Sequence, residues 1–486
     1  MTVLVIDIGT SGLRAATVDG DARVGNLHHE EFAPQSPAGG LVEFDASAMY
    51  RAVLRVALAA TGDRRIDAVG ITNQRASAVG WRRSTGEPIG PAIGWQDLRT
   101  IGECMAARAQ HGLALAPNQT ATKIAWMLAN HVPDAGARDD EDILFGTVDT
   151  WITWKLSGGA AHVTDMTNAA VTGLTTADGT TWNRSTLDVL GLHAHQLPQI
   201  VPTMGRCADA TELPGAPPVM ALAGDQQASL VGQGCIEPGR AKITFGTGGM
   251  LDMYTGTSAP KHANRRAAGT FPIVAFGDGT SVHYGTEAVM LSAGTNVEWL
   301  RDGLGLVSSA EETDLVAASV SSTEGVVYVP ALLGLGTPHW DYGARGTLLG
   351  VTRGTSRAHI VRAVLEGIAH RGVDLVEAAE SDSGLRIDTI NVDGGMSRNT
   401  TFVQALADAA ARPVTVSPVT EATTLGAGLL AAVAHGAWGS LRDAAAATGG
   451  HRTVDPLGEP GTARSEWERA VSRARAWIPA LSSLDF

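Results

Sequence analysis

Cysteine is scarce in this chain: Cys104, Cys207 and Cys235 are the only three in 486 residues, and they are widely spaced. They offer neither a disulfide framework nor a close pair of metal ligands. Lysine is rare too, supplying four of the 36 basic side chains against 50 acidic ones, for a formal charge of −14. A chain with that balance lacks the clustered cations that nucleic acid or an anionic membrane surface demands, so neither is an expected partner. Long apolar runs are missing as well, and nothing approaches the roughly 20 residues of a membrane span. Met1 to Asp7 has no basic leader and no cleavage site, and reads as a first strand rather than a signal peptide; the expected compartment is the cytoplasm. What is present, 44% hydrophobic and 18% charged residues, suits an ordinary globular protein with two to four domains, each able to bury its own core.

Strand and helix signals alternate along the chain, which implies an α/β fold. Val3 to Asp7 is a continuous apolar run ending in an acid, as in a buried central strand feeding a tight loop. Arg14 to Val18 and a strand near Val24 form a hairpin through Asp19-Gly20-Asp21, where glycine is expected to supply positive φ. Asp45 is the expected N-cap of a helix carrying Met49, Val53, Leu54, Val56 and Leu58, and Ile66 to Thr72 reads as the next strand. The stretch from Thr164 to Pro218 is rich in Thr, Gly and Pro and reads as loops and short pieces. Beyond it, Ala241 to Thr244 runs into Phe245-Gly246-Thr247-Gly248 and extends again at Met250 to Tyr254. This repeats the plan around Asp7-Ile8-Gly9-Thr10 and suggests a duplication, with residues 1–236 and 237–486 as two domains facing one cleft. The second half adds an expected strand at Val326 to Val329, a helix capped by Ser356, and a strand at Ile387 to Val392. That last strand ends in Asp393-Gly394-Gly395, ahead of Ser397 and Asn399 as caps for a helix with Phe402, Val403 and Leu406 inward.

Three glycine-rich loops follow predicted strands: Gly9-Thr10-Ser11-Gly12, Gly246-Thr247-Gly248-Gly249 and Gly394-Gly395. Their backbone N–H groups and hydroxyls can cradle phosphate, although none is a Walker A loop. A tight turn accounts for any one of them; three at strand ends point to a nucleotide. Asp7, beside Thr10 and close to Arg14, sits where an acid can hold Mg²⁺ on a nucleotide, or can simply cap its turn. Asp225 follows the apolar strand Val219 to Ala223, where a carboxylate facing a cleft can take a proton from an attacking hydroxyl. Its plain alternative is a helix N-cap. Gln226 can bind the same polyol. For Arg75 and Trp95 the alternatives are a surface ion pair and a core aromatic.

These residues fall in seven blocks: DIGTSGLRA from residue 7, GITNQR from 70, GTVDTW from 146, LAGDQQASLVGQG from 222, TFGTGG from 244, GLGTPHWD from 334 and VDGG from 392. In that order, over almost the whole chain, they resemble the FGGY carbohydrate kinases. Gly346 to Val351, followed by His359-Ile360 and Ala363 to Glu366, resembles that family's C-terminal signature. The resemblance implies two actin-like, ribonuclease H-like domains closing on ATP and a polyol or sugar. It implies Asp7 and Asp225 beside Mg²⁺, and Thr10, Ser11, Arg14, Gly246 and Thr247 on the phosphates. Gly294, Glu298, Gly395 and Asn399 would serve the nucleotide. Asp225 would be the general base, with Arg75, Trp95 and Gln226 shaping the acceptor pocket, and a homodimer is the association the likeness implies.

Within the family, the glycerol-phosphorylating branch is the nearest likeness, and three pocket positions depart from it. The glutamate after the arginine is Ala76, the tyrosine before Thr122-Lys123 is Asn118, and the phenylalanine after the Gly-Thr-Gly loop is Met250. Each change shortens or softens the wall, and Ala76 removes a charged partner for a hydroxyl. The expected acceptor is therefore a C4–C5 polyol or ketose. Glycerol itself and a non-catalytic nucleotide switch of the actin or Hsp70 type are the alternatives.

Overall fold

The computed structural model describes residues 1–132, 134–419, 421–458 and 461–484. Its frame is two mixed sheets built to one plan. In the first, β1 (Thr2–Ile8), β2 (Gly12–Asp19) and β3 (Val24–Glu31) run antiparallel, and β4 (Ala68–Asn73) and β6 (Pro218–Gly224) add in parallel on the other side of β1. The edge strand β5 (Met204–Asp209) closes that side, giving the order β5-β6-β4-β1-β2-β3. β1 is buried from Val3 onward because it sits mid-sheet with both faces covered, which is why it reads as an unbroken apolar run.

The second sheet repeats this arrangement. β7 (Ala241–Phe245), β8 (Gly249–Gly256) and β10 (Val282–Met290) run antiparallel, with β9 (Phe271–Gly277) outside β10. β11 (Ile390–Asp393) and β12 (Val414–Val416) add in parallel, and β13 (Arg452–Val454) closes the edge antiparallel. The duplication expected from two glycine loops is thus a repeat of sheet topology, with β1-β2 answering to β7-β8.

Several local expectations are met with their physical causes visible. Asp45 caps α1 (Ala46–Thr61), its carboxylate accepting from Ala48 N–H at 2.8 Å. Ser356 caps α3 (Arg357–Ser383), and Asn399 caps α4 (Thr400–Ala410), with Phe402, Val403 and Leu406 fully buried. Others are corrected. In the β2–β3 turn it is Ala22, not Gly20, that takes positive φ, at 59°. Asp19 Oδ1 accepts from the Asp21 and Arg23 N–H groups, and those bonds hold the strained residue. The segment Val327–Val329 is a strand, but it pairs with Thr347–Leu349 outside both main sheets. Ser397 lies inside a 3₁₀ turn and caps nothing. The loop-rich middle of the chain contributes one strand to the main sheets, β5, and a second, Gln199–Val201, that pairs in parallel with Val163–Asp165 in a small sheet of its own.

Two helices join the halves: α2 (Asp225–Gly232), which follows β6, and α5 (Ala422–Ala434), which follows β12. They pack on each other, and α5 also lies against β1, β4 and β6 of the first sheet. The approach is close enough to require glycine. A Cβ on Gly426 would stand 1.8 Å from the Ala228 carbonyl oxygen, and one on Gly232 2.0 Å from that of Ala422. Around this crossing Val3, Val5, Val18, Leu230, Leu425 and Leu429 form a shared core, each such side chain contributing about 1.5–3 kcal/mol by burial. Among the described residues no helix is long and apolar enough to cross a membrane, and all three cysteines are free.

Candidate active site

The site lies where the two repeated hairpins and α2 meet. Asp7, near the end of β1, is almost fully buried, with Arg14 Nη1 3.7 Å away across the hairpin. Its carboxyl is pushed up to about 7, chiefly by burial, against the pull of Arg14 and with the added repulsion of Asp225 and Glu421. It does not cap its turn; its described hydrogen-bond partner is Thr424 Oγ1 on α5, at 3.5 Å. Arg14 also reaches Glu421 at 3.5 Å. Thr10 and Ser11 stand at the open tip of the first loop. Thr10 Oγ1 accepts from Trp95 Nε1–H at 3.0 Å, so the indole is tied to the loop at the cleft mouth and is not a core aromatic.

Asp225 is the first residue of α2, and Gly224 before it is the N-cap. The carboxylate accepts from the Gln226 N–H at 2.8 Å and lies 3.6 Å from Arg75 Nε. Its side chain keeps 30% exposure, yet the enclosing lobes raise its pKa by desolvation, against Arg75. Arg75 is no surface ion pair. It is buried, donating to Glu287 Oε2 on β10 at 2.5 Å, with Nη1 buried and without a partner among the described residues.

Gln226 Oε1 accepts from Lys242 Nζ at 2.5 Å, and the same ammonium donates to Thr244 Oγ1 at 2.9 Å and pairs with Asp252 at 2.8 Å. Thr244 leads directly into the second glycine loop. Contacts therefore run from Arg75 in the first half, through Asp225, Gln226 and Lys242, to Thr244 at the entry to the second loop.

The pocket-wall positions come together through a residue the motifs did not single out. Ala76, at φ 63°, and exposed Asn118 both offer their backbone carbonyls to Lys123 Nζ, at 3.4 and 3.2 Å. Lys123 is fully buried and its pKa is pushed down to about 7 by that burial. Met250, half-buried, faces Thr244 in register across β7–β8. Lys123, Lys242, Asp252 and Glu287 are the site residues that motif reading missed. A signal was available: in a chain with four lysines, two stand in apolar strand or helix patterns, where a lysine is expensive to bury unpaired.

On the nucleotide side, Gly246 and Gly395 are open, since a Cβ on either would meet no atom within 4 Å. Gly294 serves differently. Its N–H donates to the Gly246 carbonyl at 2.8 Å, and a Cβ there would come within 2.6 Å of that oxygen, so it packs the second loop in place. Thr247 is exposed at the tip, its carbonyl accepting from Ala293 N–H. Glu298 is exposed at the end of the short helix that Gly294 begins, its charge felt by Arg301. Asn399 is committed to structure, its Oδ1 accepting from Phe402 N–H and its Nδ2 donating to Thr313. Across the halves, Ser229 on α2 donates to Asp393 at 2.9 Å.

The residues present fit a magnesium nucleotide. Asp7 and Asp225 are hard oxygen donors that repel one another across the cleft, and open glycine loops flank them. No group of three His, Cys, Asp or Glu among the described residues is placed to hold a metal by itself. An ion there would therefore share its ligands with phosphate, as magnesium prefers.

Comparison with known proteins gives the same reading. The model of the FGGY family of carbohydrate kinases, N-terminal domain, matches residues 2–232, and that of the C-terminal domain matches residues 241–435. A glycerol kinase of Aromatoleum aromaticum is 40% identical over 98% of this chain and 99% of its own. One of Dechloromonas aromatica is 41% identical over 98% of each. Among solved structures, Plasmodium falciparum glycerol kinase with ADP superposes with a TM-score of 0.88 at 26% identity, covering 100% of this chain and 99% of that one. A xylulose kinase of Rhodospirillum rubrum shares the fold, with a TM-score of 0.82 at 22% identity over 99% of each chain. With its two actin-like, ribonuclease H-like lobes, the chain belongs to the FGGY family of carbohydrate kinases, enzymes that use ATP with Mg²⁺ to phosphorylate a hydroxyl group.

Proposed function

We propose that the protein phosphorylates a hydroxyl of a short polyol, with glycerol as the first candidate acceptor and Asp225 as the general base. The observation that carries this reading is the cluster at the start of α2. There a raised-pKa carboxylate, a buried guanidinium at 3.6 Å and a fixed amide converge on the cleft. A pure nucleotide switch has no use for such a group.

In this reading Asp225 orients the acceptor hydroxyl and takes its proton, a role helped by a pKa moved toward neutrality. Arg75 and Gln226 hold neighbouring oxygens, and Trp95, Ala76, Asn118 and Met250 form the wall. Thr10, Ser11, Arg14 and the N–H groups at Gly246 and Thr247 position the phosphates, while Gly395 leaves room for the nucleoside. Gly294 acts through the loop it packs, Glu298 lies at the rim, and Asn399 shapes the end of α4. Asp7, with Asp225, would hold Mg²⁺, whose charge offsets that of the transferring phosphoryl group. Because that transfer passes through a loose transition state, the protein's contribution is alignment and electrostatics. Closure of the two lobes keeps water from competing.

Glycerol is supported by the names of the 40%-identical relatives. A C4–C5 polyol or ketose is favoured by one feature of this chain, the wall made of Ala76, Asn118 and Met250. An ADP-release screen over glycerol, tetritols, pentitols and ketopentoses separates them. The highest kcat/KM for glycerol with inert larger acceptors supports the first, and the reverse order supports the second. No turnover with any acceptor would remove the proposal. The domain boundary is placed at residues 236–237, between the two family matches, with α5 reaching back to the first sheet. The protein is expected to act in the cytoplasm, where ATP is abundant, and as a homodimer, which sedimentation would check.

A further inference from the structure

The helix that begins with Asp225 meets the second sheet through a row of polar contacts. Lys242 Nζ on β7 donates to Gln226 Oε1 at 2.5 Å, and Ser229 Oγ donates to Asp393 Oδ2 on β11 at 2.9 Å. Asn391 Nδ2, two residues earlier on β11, donates to the carbonyl of Gln233, the C-cap of α2, at 3.0 Å. Gln226, Ser229 and Gln233 recur at the spacing of one helix face. β7 and β11 are parallel neighbours, with Lys242 beside Asn391 and Thr244 beside Asp393, so the holding side chains rise from one face of the sheet.

On its other side α2 rests Ala228 and Gly232 against α5. At about 100° per residue, Asp225 falls between these two faces, with Gly232 to one side and Ser229 to the other. Rotation of the helix about its own axis would therefore sweep the Asp225 carboxylate across the cleft. Apolar packing on α5 sets how closely α2 lies but is non-directional, whereas a hydrogen bond fixes an angle as well as a distance. Of the three polar contacts, the Ser229 bond to Asp393 is the one on the same stripe as Asp225, a single turn behind it.

Asp393 is a costly choice for filling space. It is 6% exposed, Ser229 is its described donor, and Oδ1 is buried without a partner among the described residues; a carboxylate so placed is expensive to bury. It is also firmly seated. The next residue, Gly394, has φ 85° and lies so near β7 that a Cβ would stand 2.5 Å from the Phe245 carbonyl oxygen. The end of β11 is thus pinned to the entry of the Gly246 loop, and from that point it grips α2.

We propose that Asp393 is a positioning residue for phosphoryl transfer: through Ser229 it fixes the rotation of α2, and so the place of the Asp225 carboxylate relative to the nucleotide loops. This rests on the reading of Asp225 as general base and deepens it by naming what holds that base.

The test measures kcat, and KM for ATP, with the best acceptor of the screen, for the intact enzyme, Ser229→Ala, Asp393→Leu and the two combined. Asp393→Leu replaces the carboxylate with an apolar group of similar size, and the Ser229 hydroxyl can then bond a carbonyl of its own helix. Each single variant should lower kcat about tenfold, since misplacement of a reacting group by about 1 Å can cost as much as 10²-fold, with KM for ATP little changed. The combination should cost no more than either change alone. Asp393→Asn, which keeps an oxygen for Ser229, should recover most of the loss. Placed on Asp225→Asn, Ser229→Ala should cost nothing further, because it acts through the base; a purely structural loss would persist there. Ser229→Ala removes a single oxygen and carries the test by itself if Asp393→Leu does not fold. Four results overturn the inference and leave the kinase reading intact: a loss in Ser229→Ala of less than about threefold, a loss undiminished on Asp225→Asn, a rise in KM for ATP that matches the fall in kcat, or an Asp393→Asn enzyme no better than Asp393→Leu. Absence of turnover with every acceptor in the intact enzyme, or unaltered turnover in Asp225→Asn, overturns the general-base reading and the inference with it.

Discussion

The two hairpins that face the cleft share a backbone and differ in charge. Asp7-Ile8-Gly9-Thr10 in the first half answers to Thr244-Phe245-Gly246-Thr247 in the second. The acid at the end of β1 is a threonine at the end of β7. Two residues earlier, Val5 paired with Ala16 becomes Lys242 paired with Asp252. One half therefore places its charge at the loop, and the other places it inside the sheet. Duplicated scaffolds can specialise in this way because strand order sets where a side chain points, while its chemistry is free to change.

The sharpest way to break the symmetry is at α2, whose counterpart α5 carries alanine, Ala422, where Asp225 stands. Asp225→Asn should lower kcat by about 10²–10⁴, the usual span for loss of a general base, with ATP affinity little changed. Steady-state kinetics beside nucleotide titration checks this, and unaltered turnover would remove Asp225 from the mechanism.

Where the halves are alike, at the α2–α5 crossing, substitution should act on stability. Gly426→Ala puts a methyl 1.8 Å from the Ala228 carbonyl oxygen. Overpacking of that kind costs roughly 1–3 kcal/mol, sometimes more, and denaturant unfolding should show it for the whole chain, because the shared core spans both halves.

The smallest effect concerns Asp7, the charge the second loop lacks. Its carboxyl, raised from the ordinary 3.8 to about 7, holds a proton in the folded protein over a range where the unfolded chain has lost it. The folded state then binds more protons, so stability falls as pH rises from about 4 to about 7. Asp7→Asn should flatten that part of the Tm–pH curve for the nucleotide-free protein. Glu287 and Asp149, both raised to about 7 by burial, keep a residual slope. An unchanged slope in the variant would mean that Asp7 is not held protonated.

Much of this was legible beforehand. The glycine loops, the strand-end position of Asp225 and the caps at Asp45 and Asn399 follow from short-range periodicity and turn chemistry, and each stands where the sequence predicts it. At the β2–β3 turn the structure departs from the expected glycine, because the hydrogen bonds that Asp19 Oδ1 accepts from the Asp21 and Arg23 N–H groups outweigh the intrinsic preference for glycine. Arg75 and Trp95 were placed in the site by resemblance. Their partners, Glu287 and Thr10, lie 212 and 85 residues away, beyond any local pattern.

By itself, then, the amino-acid order determined the repeated strand-loop-strand units, the neutral glycine turns and the carboxylates that end β1 and begin α2. Backbone propensity and alternation act over a few residues, and that is the range over which these features are encoded. Only the tertiary structure decided that Lys242 meets Asp252 and Arg75 meets Glu287, that Lys123 gathers Ala76 and Asn118, and that Gln226 gives its amide oxygen to Lys242. Those are pairings set by strand order and by the packing of one half on the other, and the cost of burying a charge unpaired is paid or avoided only once the sheets have assembled.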